Sequence, residues 1–216
     1  MLFCNFDRLL HPFSGAELQS FYIMDTSLLI SKLIEIQDFS SSDLQKVILY
    51  FEEKVVKKNE LIFQAGDVVQ NTFFVHKGIL RQYYVTPENK ERTVYFAEEG
   101  KFAGEVMSFL YQIPSEFYFQ ALEDSVILCL NREKWEIAFT TIPALALHQL
   151  KLHARFIFDL KQEISNAGKE KPDEKYSRLL QENPALFQRI PLFHIATYLG
   201  ITPETVSRIR KRNMHR

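Results

Sequence analysis

The stretch richest in specific chemistry is Pro191-Leu192-Phe193-His194-Ile195-Ala196-Thr197-Tyr198-Leu199-Gly200-Ile201-Thr202-Pro203-Glu204-Thr205-Val206-Ser207-Arg208-Ile209-Arg210. With Leu192 as the first position of two helices joined by a turn, the fifth position must be small because the helices touch there, and it is Ala196. The ninth must turn with positive φ, and it is Gly200. Positions fifteen and eighteen must be apolar to pack the second helix on the first, and they are Val206 and Ile209. Thr202 is a sound N-cap, and Pro203 suits the first helical position. With Val206 and Ile209 inward, Glu204, Ser207, Arg208 and Lys211 face outward, where they can enter a major groove. There Arg208 can grip guanine O6 and N7, and Glu204 can accept from cytosine N4 or orient the arginine. Arg210, Lys211 and Arg212 suit phosphates, and Thr202, Pro203 and Thr205 complete the candidate double-stranded-DNA contact set. A helical hairpin with a merely solvated basic face is the plainer alternative.

Charge distribution agrees with the first reading. The 216-residue chain carries a net charge of −1, yet from Arg189 to Arg216 there are six basic residues against one acid, so a basic end is attached to an acidic body. At 46% apolar, 13% aromatic and 25% charged residues, the chain is globular and long enough to bury a core without metal or disulfide staples. No apolar run approaches the roughly 20 residues that span a bilayer, which implies no membrane partner. Asp7, Arg8, His11 and Glu17 interrupt any secretory leader, so a cytoplasmic location is expected. Two distant cysteines, Cys4 and Cys129, imply neither a disulfide framework nor a metal centre. No nucleophile, base and orienting acid form a recognisable set, and no enzyme is expected.

The elements that must position the basic end change texture along the chain. Residues 25–52 read as helical, with N-cap side chains at Ser40–Asp43 and an apolar repeat of Leu44, Val47, Ile48 and Phe51. From Val55 to Leu130, short β-branched and aromatic stretches alternate with turns at Ala65-Gly66-Asp67, Lys77-Gly78, Pro87-Glu88-Asn89 and Glu99-Gly100, which predicts an antiparallel sandwich or barrel. After a short helix at Arg132–Thr140, Pro143 opens a longer one in which Ala146, Leu150, His153, Ile157, Leu160 and Ile164 recur at spacings of four and three. That is a heptad seam suited to a parallel homodimer, with Leu145, Leu152 and Phe156 on a neighbouring face; a single wide stripe buried within one subunit is the alternative. The polar run from Ala167 to Asp173 reads as a hinge. A last, all-helical unit follows, with a break at Asn183-Pro184.

Taken together, the chain from about residue 30 resembles the catabolite-activator and fumarate-nitrate-regulator (Crp/Fnr) family of bacterial transcription regulators. The sharpest match is Ile201–Ile209, with further likeness at Phe73–Gly78, Ile79–Tyr83 and Ala121–Ser125. The wording of Pro114-Ser115, Ala121–Ser125 and the Ile-Thr-Pro-Glu-Thr turn is similar to the branch found in Bacteroidetes. The resemblance implies an α+β fold in five parts: an N-terminal extension (1–23), a cyclic-nucleotide-binding-like antiparallel β-roll or jelly roll (24–142), a dimerisation helix (143–167), a hinge (168–173) and a helix-turn-helix DNA-binding domain (174–216). It also implies a homodimeric, sequence-specific DNA-binding regulator with an effector-sensing roll, and contact with RNA polymerase.

Departures from the pattern set further expectations. The chain stops seven residues after Ile209, so a full β-hairpin wing is expected to be absent, and Met24 is an alternative start. A single N-terminal cysteine, Cys4, does not provide an iron–sulfur cluster, and His11 and His76 read as surface or turn histidines rather than haem ligands. No cofactor is expected. In cyclic-nucleotide-binding relatives a Gly-Glu pair is followed about ten residues later by Arg-Ser or Arg-Thr, the Glu binding ribose and the Arg the cyclic phosphate. Here Gly104-Glu105 is followed by Pro114-Ser115-Glu116, and no Lys or Arg occurs between Lys101 and Arg132. An effector pocket would comprise Phe102, Gly104, Glu105, Val106 and Ser115, for an unknown small molecule rather than cyclic AMP. Alternatively Phe109, Phe117 and Tyr118 fill it, or Arg81 or Arg92 replaces the missing arginine. A second overall reading is a small-molecule-binding roll whose helical tail makes protein contacts instead of DNA contacts.

Overall fold

A computed structural model describes residues 24–167 and 169–214; the expectations placed on the 1–23 extension, Cys4, His11 and Gly168 lie outside the described residues. The chain opens with α1 (Ser27–Ile36) and α2 (Ser41–Tyr50). The single helical stretch expected over 25–52 is therefore divided. Ser40 is extended and accepts from the Asp43 amide at 3.1 Å, which starts a second helix instead of prolonging the first. Phe51 leaves the helix to begin β1 (Phe51–Val56), where it pairs with Leu130.

Seven further strands complete an antiparallel roll: β2 (Leu61–Phe63), β3 (Asn71–Lys77), β4 (Leu80–Val85), β5 (Glu91–Ala97), β6 (Phe102–Ala103), β7 (Tyr118–Ala121) and β8 (Ser125–Asn131). A short helix, α3 (Val106–Tyr111), lies between β6 and β7. The strands form two sheets, ordered β1-β8-β3-β6 and β2-β7-β4-β5. Val56, Phe63, Phe73, Leu80, Phe119 and Ile127 fill the space between them. Gly78 makes the β3–β4 corner at φ +102°, and a Cβ there would lie 2.6 Å from that of Ser125, so both conformation and space require glycine.

On the outer face of the first sheet, Phe74, Leu128 and Leu130 pack beneath Leu29, Leu33 and Val47 of the leading helices. Ala138 of α4 (Arg132–Thr141) and Leu145 of α5 (Pro143–Ala167) close the same cluster. The 25 residues of α5 span about 37 Å. Four shorter helices follow: α6 (Pro172–Glu182), α7 (Pro184–Arg189), α8 (Leu192–Leu199) and α9 (Pro203–Met214). The run expected as a hinge over 168–173 is shorter than that, because Pro172 opens α6 and the Lys171 amide donates to Glu174 at 2.8 Å. A proline at the first helical position sacrifices no hydrogen bond, so here it starts a helix rather than marking a linker. Ile195, Ala196, Val206 and Ile209 share one buried cluster with Tyr176 and Phe187, and two roll residues, Ile79 and Leu122, belong to it.

Candidate nucleic-acid interface

The geometry of α8 and α9 follows from a few side chains. Gly200 caps α8 in the left-handed region (φ 72°, ψ 26°), and its turn brings Val206 and Ile209 onto Ile195 and Ala196. Thr202 accepts the Thr205 amide through Oγ1 at 3.3 Å, and Pro203 is the first residue of α9. Glu204, Arg208 and Lys211 are exposed and Ser207 is half-buried. Together with Pro203 and Leu192 they line a shallow groove of about 560 Å³. The Glu204 carboxyl is held below the usual carboxylate range by its own amide and by the Thr202 hydroxyl, so it is a dependable anion beside Arg208.

Two basic residues assigned to phosphate contact are placed otherwise. Arg210 points inward: Nε donates to the Tyr176 hydroxyl at 2.8 Å and Nη2 to the Phe187 carbonyl at 3.1 Å, so it fastens α9 to α6 and α7. Arg212 donates to Asp173 at 2.7 Å on the side of α6. Thr205 is half-buried, with its hydroxyl against Thr202. Leu192, the first position of the two-helix pattern, borders the groove and was not among the expected contact residues, because an apolar residue there reads as core.

The roll residues expected around an effector do not converge. Phe102 lies on the outside, its ring 5.0 Å from Phe74 and 5.5 Å from His148. Gly104 passes beside Thr72, and Val106 is exposed. Glu105 turns back on its own helix, where its carboxylate accepts the Met107 amide at 3.1 Å and the Ser108 amide at 2.5 Å. Ser115 is held in a local turn, its hydroxyl accepting the Phe117 amide at 3.0 Å and its carbonyl the Gly66 amide at 2.8 Å. The interior is filled by Phe63, Phe73 and Phe119, with ring centroids 5.4 to 6.4 Å apart. Of the rings expected to fill it, Phe109 packs edge-on against Trp135 and Tyr118 stacks on Tyr83; only Phe117 borders the interior cluster. An open cleft of about 360 Å³ beside this core is lined by Ile62, Asp67, Val68, Gln70 and Asn71 among others. Arg81 is buried and committed to Glu91 at 2.6 Å and to Gln120 at 2.7 and 3.0 Å, while Arg92 lies near Gly200. Neither supplies the missing arginine. His76 faces Asp25 at 3.8 Å, and no group of His, Cys, Asp and Glu among the described residues is arranged to hold a metal.

The cyclic nucleotide-binding domain family matches residues 53–141. The chain is 28% identical over 171 residues to the transcriptional activator protein FnrA of Stutzerimonas stutzeri, covering 73% of this chain and 68% of that one. It is 25% identical over 171 residues to the cyclic AMP receptor protein of Thermus thermophilus, covering 77% and 79%. Residues 53–141 thus form a cyclic nucleotide-binding-type domain, and the relatives this chain resembles include transcription regulators. The chain's fold is that of the Thermus thermophilus catabolite activator protein, with a TM-score of 0.55 at 23% identity, covering 85% and 87% of the two chains. It is also that of CLP, a c-di-GMP responsive global regulator of Xanthomonas campestris, with a TM-score of 0.65 at 14% identity, covering 82% and 92%.

The long helix presents an uncovered apolar face. Leu150, Ile157, Leu160 and Ile164 are between 48% and 67% exposed, which overturns the alternative of a stripe buried within one subunit. Ala146 and His153 are half-buried, and His153 Nε2 lies 3.0 Å from the Gln149 amide group. Of the neighbouring face, Leu145 is in the core, Leu152 is half-buried, and Phe156 is 53% exposed with its ring edge-on to Tyr95. Among the described residues no helix is long and apolar enough to cross a membrane.

Proposed function

We propose that this chain is a homodimeric, sequence-specific DNA-binding transcription regulator in which α8 and α9 form the helix-turn-helix. The observation that carries the reading is the outward face of α9, where exposed Glu204, Arg208 and Lys211 stand with half-buried Ser207 along one open groove. A parallel pairing of α5 through Leu150, His153, Ile157, Leu160 and Ile164 covers the exposed stripe and sets two α9 helices about a two-fold axis. Each α9 then meets one half-site, with centres about 34 Å apart, Arg208 reading guanine, Glu204 accepting from cytosine and Lys211 contacting phosphate. Cyclic AMP is not the effector, because Glu105 is turned onto α3 and residues 102–131 contain no Lys or Arg to pair with a phosphate. Among relatives that are transcription regulators, contact with RNA polymerase belongs to the same reading.

The test is duplex binding at increasing salt, on a site selected from random sequences and on the random pool. Affinity should fall steeply with salt as phosphate counterions are released. Arg208→Ala should cost about 1–3 kcal/mol on the selected site and relax base preference, whereas Lys211→Ala should weaken both duplexes alike. Ile157→Glu should separate the subunits and abolish tight binding. Equal losses on both duplexes for Arg208→Ala would overturn the assignment of α9. Failure of the parent protein to bind any duplex would favour a roll whose helical tail contacts protein.

A further inference from the structure

The DNA-reading helices do not hang from the roll by the chain alone. Arg189, the last residue of α7, donates to Glu99 through Nη1 at 3.0 Å and Nη2 at 2.7 Å, and it also meets Glu123 in the turn between β7 and β8. Glu99 is fixed in turn by the Gly78 amide at 2.7 Å, at the corner where no larger residue fits. Next to it, Glu98 accepts from the Asn183 side chain at 2.6 and 2.7 Å, and Thr93 of β5 meets Thr197 of α8 at 2.8 Å. Beneath these contacts Ile79 and Leu122 of the roll share an apolar cluster with Phe187 and Ile190. Polar contacts at three separated points on the roll, joined by an apolar seam, hold the helices against it in one orientation. Arg210 then ties α9 to α6 and α7 within that body. The orientation of the reading face is thus determined by this chain's own side chains. Within the roll, Glu105 accepts from two α3 amides and three phenylalanines fill the interior.

We propose that Arg189 is a positioning residue that locks the helix pair onto the roll in its DNA-reading arrangement, and that DNA binding by this chain therefore requires no small-molecule effector. The inference rests on the DNA-binding function proposed above and adds how that site is regulated. The arginine fork suits the role because one planar group engages two carboxylates at once, which a lysine ammonium does less specifically. Burial opposes ionisation of Glu99, but the hydrogen bonds from Arg189 and Gly78 outweigh it and hold the carboxyl down to about 2.

The experiment compares the full-length protein as purified with the same protein unfolded in guanidinium, dialysed free of small molecules and refolded, using a duplex selected from a random pool. Native mass spectrometry checks that each preparation is a dimer without an adduct. The refolded dimer should bind within about twofold of the purified one. Arg189→Ala should lose about tenfold or more on the selected duplex, while binding to random duplexes, dimer mass and melting midpoint stay close to the parent's, and Arg189→Lys should recover part of the loss. A refolded dimer that binds only after a small-molecule extract of the purified protein is restored overturns the inference and leaves the DNA-binding reading intact. An Arg189→Ala protein that discriminates like the parent overturns the lock. If neither preparation binds DNA, the fault lies in the function proposed above. Should refolding give no dimer, the adduct content of the purified, DNA-binding dimer decides the same question: adduct-free binding supports the inference, and a stoichiometric adduct overturns it.

Discussion

Two helices of this protein begin beside a glutamate, and the two put it to opposite use. In the roll, Glu105 is the N-cap of α3, 9% exposed, with its carboxylate on the Met107 and Ser108 amides. In the helix pair, Thr202 stands at the head of α9 and bonds the Thr205 amide, Pro203 takes the first helical position, and Glu204 is left exposed one residue later. A helix start has a fixed number of unsatisfied amides, and whichever residue satisfies them withdraws from other chemistry. Where the acid does so itself, its charge belongs to the fold. Where a threonine does so, the acid is available to a partner.

The largest expected effect separates the two regions by acid. Each holds a histidine away from water: His148 of α5 is buried between the rings of Phe39 and Phe102, and His194 of α8 is half-buried near the charges of Arg81 and Glu91. Burial pushes both down to about 4, helped at His194 by the nearby Arg81 charge. Each is neutral in the fold, and the unfolded chain binds the proton more tightly. Their contribution to stability is therefore complete above the ordinary value of 6.5 and is lost as pH falls from 6.5 toward 4. For the fully buried His148 the loss is on the order of 3 kcal/mol. Denaturation midpoints followed across that window should fall, and His148→Phe should flatten most of the slope on the roll side; an unchanged slope would refute the role given to His148. Glu99 cannot mimic this effect, because its depressed carboxyl yields only below its ordinary value of 4.5, as pH falls toward about 2.

The next effect tests the cap directly. Glu105→Ala removes the acceptor for two amides in a buried position and should destabilise the roll by about 1–3 kcal/mol, read as a lowered thermal midpoint. Glu105→Gln keeps an acceptor and should lose less. Discrimination between selected and random duplexes should persist in both folded variants, since α3 lies outside the contacts that hold α7 and α8 on the roll. A loss of discrimination without a change in the midpoint would show that Glu105 communicates with α9 and is more than a cap.

Sequence patterning made the roll legible because its turns carry Gly66, Gly78 and Gly100 at corners with positive φ. It missed β6, since two residues, Phe102 and Ala103, display no period. It placed Phe51 in a helix because its spacing from Val47 and Ile48 fits a helix, whereas the pairing with Leu130 that makes it a strand lies far along the chain. Arg210 was readable in principle. It stands four residues after Val206, on the inward face, and its charge concealed that position. The Arg189 lock was not readable, because its partners are 90 and 66 residues away and only the docking of the helices brings them together.

The smallest expected effect on the fold belongs to Glu204, and there the contrast with Glu105 is sharpest. Its carboxylate is exposed and bonds only to its own amide and the neighbouring Thr202 hydroxyl, so Glu204→Gln should leave the melting midpoint where it is. Glutamine retains an acceptor but gains a donor, and it pairs well with adenine N6 and N7, whereas the carboxylate accepts from cytosine N4. On a panel of duplexes differing at single positions, the variant should therefore shift preference at one base pair of each half-site by about tenfold, with the other positions unchanged. The same substitution at position 105 should do the reverse, moving the midpoint and leaving the panel alone. If Glu204→Gln altered the midpoint and not the panel, Glu204 would be a structural cap like Glu105, and base reading by α9 would rest on Arg208 and Ser207.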